Sequence, residues 1–364
     1  VCGNKLMFPV SIGWIPTDTF FLLSAMLAAY HLSNKMIQRK HVNWKNHYIS
    51  RYIRLTPAVL AEGMFTSYVM EYLGDGPMWY KLIKHDADVC KKSYWWNLLY
   101  VQNFLSVLDV CGTHAYFLAV EMQLSLLLPL LLPVLWKHRV LGRTAVIILI
   151  ALSTVMRYQT TSQHQLTIAP IHQLTQEKIF KFYDILYSKT QYRVTSYACG
   201  VALGYLLSAT GRNIRIPKLL SGMGWTLCAV LLYFVMIYPS YLVQVDYKYS
   251  VVENSLYAAY LPLFLSLALG WVIWCCSSGN AELLNKFLSC RIFKTCSKMC
   301  YTFYLIHFPL LFLRAGSLRS SFHFEFFEYM FKLPEIVVIA TTTVFLTLLF
   351  DLPFQQIKKI LVQD

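Results

Sequence analysis

Charged residues are scarce in this sequence. Lys, Arg, Asp and Glu make up 14% of its 364 residues, against about 25% in soluble globular proteins. Hydrophobic residues make up 57%, and a soluble fold would have to leave large apolar patches exposed to water. The scarcity of charge excludes a soluble globular protein, and the excess of apolar residues excludes an intrinsically disordered one.

The signatures of several functional classes are also missing. Ten cysteines are too dilute for a disulfide-stapled scaffold, and none has the spacing of a zinc site. The sequence contains no glycine-rich phosphate loop and no nucleophile elbow around a serine. The net charge of +14 comes without a long basic stretch, which argues against nucleic acid as a partner. We therefore predict no metal and no tightly bound cofactor, and an integral membrane protein remains.

Long apolar stretches are abundant. A helix needs about 20 mostly apolar residues to cross the hydrocarbon core, and nine segments come near this length. They lie near 18–34, 52–73, 114–136, 140–157, 194–210, 218–238, 254–276, 299–314 and 335–353. The sequence thus predicts an all-α fold, a polytopic transmembrane helical bundle of about nine spans, as one domain over residues 1–364.

Positive charge is unevenly distributed among the predicted loops. Residues 35–54 hold six Lys or Arg and no acidic residue, and the loops at 137–143 and 211–218 are basic too, whereas the loop at 75–113 is mixed. The positive-inside rule places the basic loops in the cytoplasm. Nine spans then put the N-terminus outside or in the lumen and the C-terminus in the cytoplasm, in a multi-pass protein of the plasma membrane or the endoplasmic reticulum.

Two cysteines fall in one predicted outer loop. Cys90 and Cys111 both lie within 75–113, where an oxidising compartment permits a disulfide. We predict that these two residues form a disulfide; the alternative is a pair of free thiols. The cysteines near the cytoplasmic side are expected to stay reduced.

The first residues carry no insertion signal. The sequence begins at Val1 without an initiator methionine, a basic n-region or an apolar h-region, so it shows no signal peptide. An outside N-terminus with nothing before it is hard to insert into a membrane. We therefore expect that the sequence lacks an upstream portion.

Several motifs follow one another in a characteristic order. They are Asp-Thr-Phe-Phe-Leu-Leu-Ser at 18–24, Arg-Tyr-Ile-Arg-Leu-Thr-Pro at 51–57, Cys-Gly-Thr-His-Ala-Tyr-Phe-Leu at 111–118, Tyr-Thr-Phe-Tyr-Leu-Ile-His at 301–307 and Asp-Leu-Pro-Phe at 351–354. Each motif is weak alone, but their joint order and spacing are specific. From about Ile12 to Ile360 the sequence resembles the nose-resistant-to-fluoxetine group of the acyltransferase 3 family.

This resemblance implies a polytopic membrane enzyme that moves acyl groups, often acetyl, from a cytosolic donor to an acceptor. It also implies a core of about ten helices, whose first helix bears an arginine and a histidine separated by ten residues, and in animals an upstream extracellular domain. No histidine here has an arginine eleven positions before it. We therefore expect that the first core helix, with the family's base histidine, is missing from this sequence.

The sequence departs from the family pattern at four positions. Ala25 stands where Gly is common, Phe117 lies in a stretch that usually reads Trp-Tyr-Leu, Glu121 replaces the usual Asp, and Asp351 replaces the usual Glu. The two acidic replacements preserve charge and are mild.

Two arginines are candidates for binding the acyl donor. Arg51 and Arg54 are three residues apart, so they lie on one helix face, at the cytoplasmic end of a predicted span. Guanidinium groups grip phosphates bidentately, and the resemblance favours a clamp for an anionic donor such as acyl-CoA. The alternative is ordinary anchoring, in which both arginines contact lipid headgroups.

Three titratable residues are candidates for catalysis. Glu121 lies about two turns into its span, with His114 seven residues before it on the same face, and a carboxylate can orient a histidine for general acid–base chemistry. His307 lies within another span, three residues after Tyr304, where the two could bound an acceptor pocket. The alternatives are a buried ion pair for Glu121, an interfacial polar residue for His114 and a helix-packing histidine for His307.

The sequence as a whole predicts an integral membrane acyltransferase. Its co-substrate would be acyl-CoA, and its acceptor an unknown hydroxyl or amine on a small molecule or a lipid; the lipid bilayer is the other expected partner. A carrier for lipids or drugs on the same scaffold, or an inactive truncated remnant, are the alternatives. Because the resemblance places the base on a helix that precedes Val1, we expect this chain alone to lack acyl-transfer activity.

Overall fold

The computed structural model describes residues 16–40, 42–167, 175–210, 216–242, 244, 247–319 and 333–361. Within these residues the secondary structure is helical, without strands. Arg212 and Arg215 of the predicted basic loop, and Ile12 at the start of the family-like stretch, lie outside the described residues.

The helices are named here in chain order. They are α1 (Pro16–Ile37), α2 (Trp44–Tyr68), α3 (His85–Leu99), α4 (Tyr116–Ser125), α5 (Leu128–Lys137), α6 (Arg139–Gln163), α7 (Gln176–Phe182), α8 (Val194–Thr210), α9 (Lys218–Met236), α10 (Pro239–Leu242), α11 (Val251–Ser277), α12 (Glu282–Leu288), α13 (Arg291–Ser317), α14 (Leu333–Leu346) and α15 (Leu352–Leu361). A π-helical turn, Thr347–Asp351, joins α14 to α15, and a 3₁₀ turn, Thr113–Ala115, leads into α4.

Six helical segments of the described chain are long and apolar enough to cross a membrane. They are Thr113–Lys137, Arg139–Gln163, Lys218–Leu242, Val251–Ser277, Arg291–Ser317 and Leu333–Lys358. The three other predicted spans correspond to α1, α2 and α8. α1 and α2 have 22 and 25 residues but carry more polar side chains, whereas α8 is apolar and has only 17 residues. The predicted count of nine spans is therefore not confirmed.

The chain divides into two units, Val1–Val42 with Gln123–Leu288 and Asn43–Met122 with Ser289–Asp364. In the first unit, α1 packs closely on α8. A Cβ atom added to Gly200 would lie 2.4 Å from the Leu22 carbonyl oxygen, and one on Gly204 would lie 2.4 Å from the Met26 carbonyl oxygen. The two glycines, four residues apart, therefore permit the backbones to approach.

A buried ion pair joins α1 to the start of α8. Arg193 Nη1 donates to Asp18 Oδ2 at 2.7 Å, and Ser196 Oγ donates to Asp18 Oδ1 at 3.0 Å. Arg193 also donates to the Tyr187 carbonyl oxygen. Arg193 is only 1% exposed, and it serves as an internal polar link.

In the second unit, α2 packs against α3, α13 and the Thr347–Asp351 turn. Val59, Leu118 and Leu305 form part of its apolar core, and the Tyr301 hydroxyl donates to the Leu55 carbonyl oxygen at 2.6 Å. α13 also packs against α14. This unit contains all seven site residues predicted from the sequence.

Candidate functional site

A carboxylate lies within the packed interior of the second unit. Glu62 is on α2 and only 7% exposed, with apolar or small residues on either side of it in the sequence. Neither of its carboxylate oxygens has a hydrogen-bond partner among the described residues. A carboxylate in such surroundings is costly and marks a place where function is expected.

The backbone around His114 is fixed from both sides. Cys111 forms a disulfide with Cys90 on α3, the pair that the sequence predicts. The Asn97 side chain donates to the Cys111 carbonyl oxygen at 3.0 Å, and the Gln102 side chain donates to the Ala115 carbonyl oxygen at 2.8 Å. These contacts hold the 3₁₀ turn that carries His114, so its imidazole is presented from a constrained backbone.

Glu62 and His114 approach each other. Glu62 Oε1 lies 4.0 Å from His114 Nε2, and both side chains are buried. His114 Nε2 is also 3.1 Å from the Leu305 carbonyl oxygen. Because a carbonyl can only accept, Nε2 carries the proton and Nδ1 keeps its lone pair. Nδ1 is buried without a hydrogen-bond partner in the described structure, so it is available as a proton acceptor.

Aromatic side chains from α13 enclose the imidazole. The ring of Phe308 stacks on His114 at 4.8 Å between centroids, and the rings of Tyr304 and His307 lie 5.7 and 5.8 Å away. The Tyr304 hydroxyl also donates to the His114 carbonyl oxygen. The structure thus brings His114 and His307 together, while the nearest carboxylate to His114 comes from α2.

Gly112 allows this approach. Its φ is +63°, a conformation that side-chain-bearing residues rarely adopt. A Cβ atom added there would lie 3.2 Å from Glu62 Oε1 and 3.3 Å from His114 Cε1. Both the backbone conformation and the limited space therefore favour glycine between the carboxylate and the imidazole.

A second acid adds negative charge near the pair. Asp86, on α3, interacts electrostatically with Glu62. Burial raises the pKa of Asp86 to about 6, so this carboxyl is mostly ionised near neutral pH.

The two arginines that the sequence predicts to bind the donor have different surroundings. Arg51 forms an ion pair with the buried Glu121 on α4. A buried ion pair is one of the two interpretations of Glu121 from the sequence. Arg54 is exposed. The predicted partnership of Glu121 with His114 is therefore replaced by two separate pairs, Glu121 with Arg51 and Glu62 with His114.

Sequence reasoning missed Glu62. The available signal was an acidic residue inside a predicted apolar span, the same signal that identified Glu121. The partner of Glu62 is 52 positions further along the chain, which no helical spacing reveals. In the part of the chain that the structure describes, no three His, Cys, Asp or Glu side chains converge as metal ligands. A carboxylate beside an imidazole can take part in proton transfer.

Comparisons with known proteins agree with this architecture. A family model described as an acyltransferase domain matches residues 10–352. "Nose resistant to fluoxetine protein 6" of Caenorhabditis elegans is 30% identical over 375 residues, which cover 95% of this chain and 45% of that protein. "Regulator of hypoxia-inducible factor 1" of the same organism is 24% identical, over 81% of this chain and 59% of that protein.

The chain therefore spans about half the length of these curated relatives, and no solved structure matches it. The family model covers nearly the whole sequence, including the segments that carry Glu62, His114 and both arginines. The chain belongs to the acyltransferase 3 family.

Proposed function

We propose that the chain is a membrane acyltransferase whose base site is the Glu62–His114 pair. It transfers an acyl group from a cytosolic thioester donor, such as acyl-CoA, to a hydroxyl or amine of an acceptor. The observation that carries this proposal is the 4.0 Å approach of two buried titratable side chains from different elements in a chain of an acyltransferase family.

Acyl transfer requires a base for the acceptor. As the acceptor oxygen or nitrogen bonds to the acyl carbon, its proton passes to the base site, and the carbon–sulfur bond of the thioester breaks. The proton then moves to the departing thiolate. A positioned base of this kind typically contributes about 10²–10⁴-fold in rate.

Arg54 is the better-placed donor-binding residue. It is exposed, whereas Arg51 is engaged by Glu121. Arg54 precedes Glu62 by eight residues on the same helix, which corresponds to about 12 Å along the axis. The pantetheine arm of acyl-CoA is long enough to join phosphates held at Arg54 to a thioester near Glu62.

This proposal differs from the expectation based on resemblance alone. The resemblance assigns the base to a histidine on a preceding helix, whereas the geometry offers a base site within these residues. The two assignments are distinguished by mutating His114 in the full-length protein.

The test uses three conservative variants of the full-length protein, purified from membranes and assayed with radiolabelled acyl-CoA. His114→Gln and Glu62→Gln should each lower kcat by at least about 100-fold, with unchanged thermal stability. His138→Gln changes an exposed histidine and should retain full turnover.

Wild-type turnover in His114→Gln and Glu62→Gln would place the base elsewhere and overturn the proposal. Acyl-CoA binding without transfer in the wild-type protein, under all acceptors tried, would favour the carrier alternative.

A further inference from the structure

A cavity lies beside Glu62 within the second unit. It has a volume of about 340 Å³ and is bounded by α2, α13, α14 and the Thr347–Asp351 turn. This volume is within the range of about 300–1,000 Å³ typical of small-molecule sites. Leu305 lines the cavity and its carbonyl oxygen accepts from His114, so the cavity adjoins the base site.

The cavity wall is almost entirely apolar, with few polar exceptions. Phe65, Ile306 and Phe345 are representative of the lining, and Glu62, Thr302 and Thr342 interrupt it. The side chains of Glu62 and Thr302 are buried, at 7% and 4% exposure. Neither the Glu62 carboxylate nor Thr302 Oγ1 has a hydrogen-bond partner among the residues described. Buried polar groups are normally satisfied, so a ligand with one polar end would complete this site.

We propose that this cavity binds the acceptor and that the acceptor is an apolar alcohol. Its hydroxyl donates to Glu62 and accepts from the Thr302 hydroxyl, while its hydrocarbon body fills the rest of the cavity. This inference rests on the proposed function, because it assigns the substrate class of the same site.

The chemistry of the wall discriminates between possible occupants. The acyl end of the donor has no hydrogen-bond donor to offer Glu62, and a carboxylate repels the oxyanion that forms on the acyl group. A sugar would bury several hydroxyls against apolar side chains, at a cost for each unsatisfied group. An alcohol with one hydroxyl and a hydrocarbon body satisfies both the polar end and the apolar wall.

The reaction then balances as a simple transfer. The alcohol gives its proton to Glu62 as its oxygen bonds to the acyl carbon of the thioester. The carbon–sulfur bond breaks, and the thiolate leaves with the proton returned from Glu62. The products are an ester and a free thiol, and the ester is more apolar than the alcohol, so it partitions into the bilayer.

The first experiment measures binding without any acyl donor. The full-length protein in nanodiscs is irradiated with a straight-chain primary alcohol that carries a terminal diazirine, and labelled peptides are mapped by mass spectrometry. We expect labelling on α2 and α13 near Glu62 and Thr302, with competition by unlabelled 1-octanol.

Matched variants locate the label in the cavity. Ala58→Leu and Ala61→Leu each add a bulky side chain to the lining and should reduce labelling at least about fivefold. Ala340→Leu makes the same change at an exposed position on α14 and should label as the wild type does. Thermal stability is measured for all three, and a variant that unfolds is replaced by the other cavity variant.

The second experiment measures transfer from labelled acyl-CoA to 1-octanol, octylamine and glucose. We expect ester formation with octanol, and Ala61→Leu should raise the KM for octanol about tenfold. The inference would be overturned if Ala58→Leu and Ala61→Leu were labelled as strongly as the wild type. It would also be overturned by selective acylation of octylamine or glucose. Cavity labelling by the alcohol without any acyl transfer would instead retain the alcohol site and overturn the proposed function.

Discussion

Arg51 and Arg54 are three residues apart and yet have different surroundings. Arg51 neutralises Glu121, which is 4% exposed, and removing one partner of a buried pair leaves the other charge uncompensated. Arg54 is exposed on the same helix. The two residues should therefore respond differently to the same substitution, although the sequence suggests one shared role.

We predict that Arg54→Ala raises the KM for acyl-CoA about tenfold, equivalent to about 1.4 kcal/mol, with unchanged thermal stability. Arg51→Ala should instead destabilise the protein by about 1–3 kcal/mol, because Glu121 loses its charged partner. Steady-state kinetics and thermal unfolding in detergent measure the two effects. An unaltered KM in Arg54→Ala would return this residue to a membrane-anchoring role.

Some residues of the candidate site could be identified from the sequence, whereas others could not. It identified Cys90 and Cys111 as neighbours because they lie in one predicted loop, and it identified His114 and Glu121 because polar residues are rare in apolar spans. It did not reveal which of these residues meet. The pairing of Glu62 with His114 depends on the packing of α2 near the 3₁₀ turn, which no local pattern encodes.

At the scale of helices, α1 and α8 form the most extensive contact between described helices of the first unit. Gly200 and Gly204 are four residues apart, and this spacing favours close helix packing. It did not identify α1 as the partner or show that the buried Asp18–Arg193 pair accompanies the contact. The spacing of residues along a helix predicts which face packs. The identity of the partner helix depends on the three-dimensional fold.

Gly204→Ala tests this contact. Alanine favours a helix over glycine by about 1 kcal/mol, so an unobstructed position would gain stability. At Gly204 the new methyl group would lie 2.4 Å from the Met26 carbonyl oxygen, and we expect a net loss of about 1–3 kcal/mol.

Gly222→Ala is the matched control on α9, because no described atom outside its own helix backbone lies within 4 Å of its added Cβ. It should be neutral or stabilising in the same thermal unfolding assay. Equal stability of the two variants would show that α1 and α8 are not in close contact.

The helices that fall outside the six apolar segments explain why the number of spans is hard to predict. α2 has 25 residues, about 37 Å of helix, which exceeds the roughly 30 Å of the hydrocarbon core. Its charged residues include Arg51, Arg54 and Glu62, which lower its hydropathy. Charged side chains of the candidate site thus lower the hydropathy by which a span is identified.

At the scale of the whole molecule, orientation depends on whether α2 crosses the bilayer. The basic residues of 35–54 precede or begin this helix, and the mixed loop at 75–113 follows it. If α2 crosses, the two loops lie on opposite sides, and the positive-inside rule places the first in the cytoplasm.

We predict that an N-glycosylation acceptor inserted within 75–113 is modified in microsomes and that one inserted within 35–50 is not. Mobility before and after glycosidase treatment measures the modification. Modification of both sites or of neither would show that α2 does not cross, and the reverse pattern would invert the topology.

Because of the disulfide between Cys90 and Cys111, the proposed base site depends on the compartment in which the protein matures. Cys111 is three residues before His114, so the crosslink anchors the imidazole-bearing turn to α3. A recombinant chain folded with these thiols reduced would keep its apolar helices and lose that anchor. The expression host therefore determines whether the disulfide forms. Inactivity of protein made in a reducing host would reflect the missing disulfide and would not test the proposed chemistry.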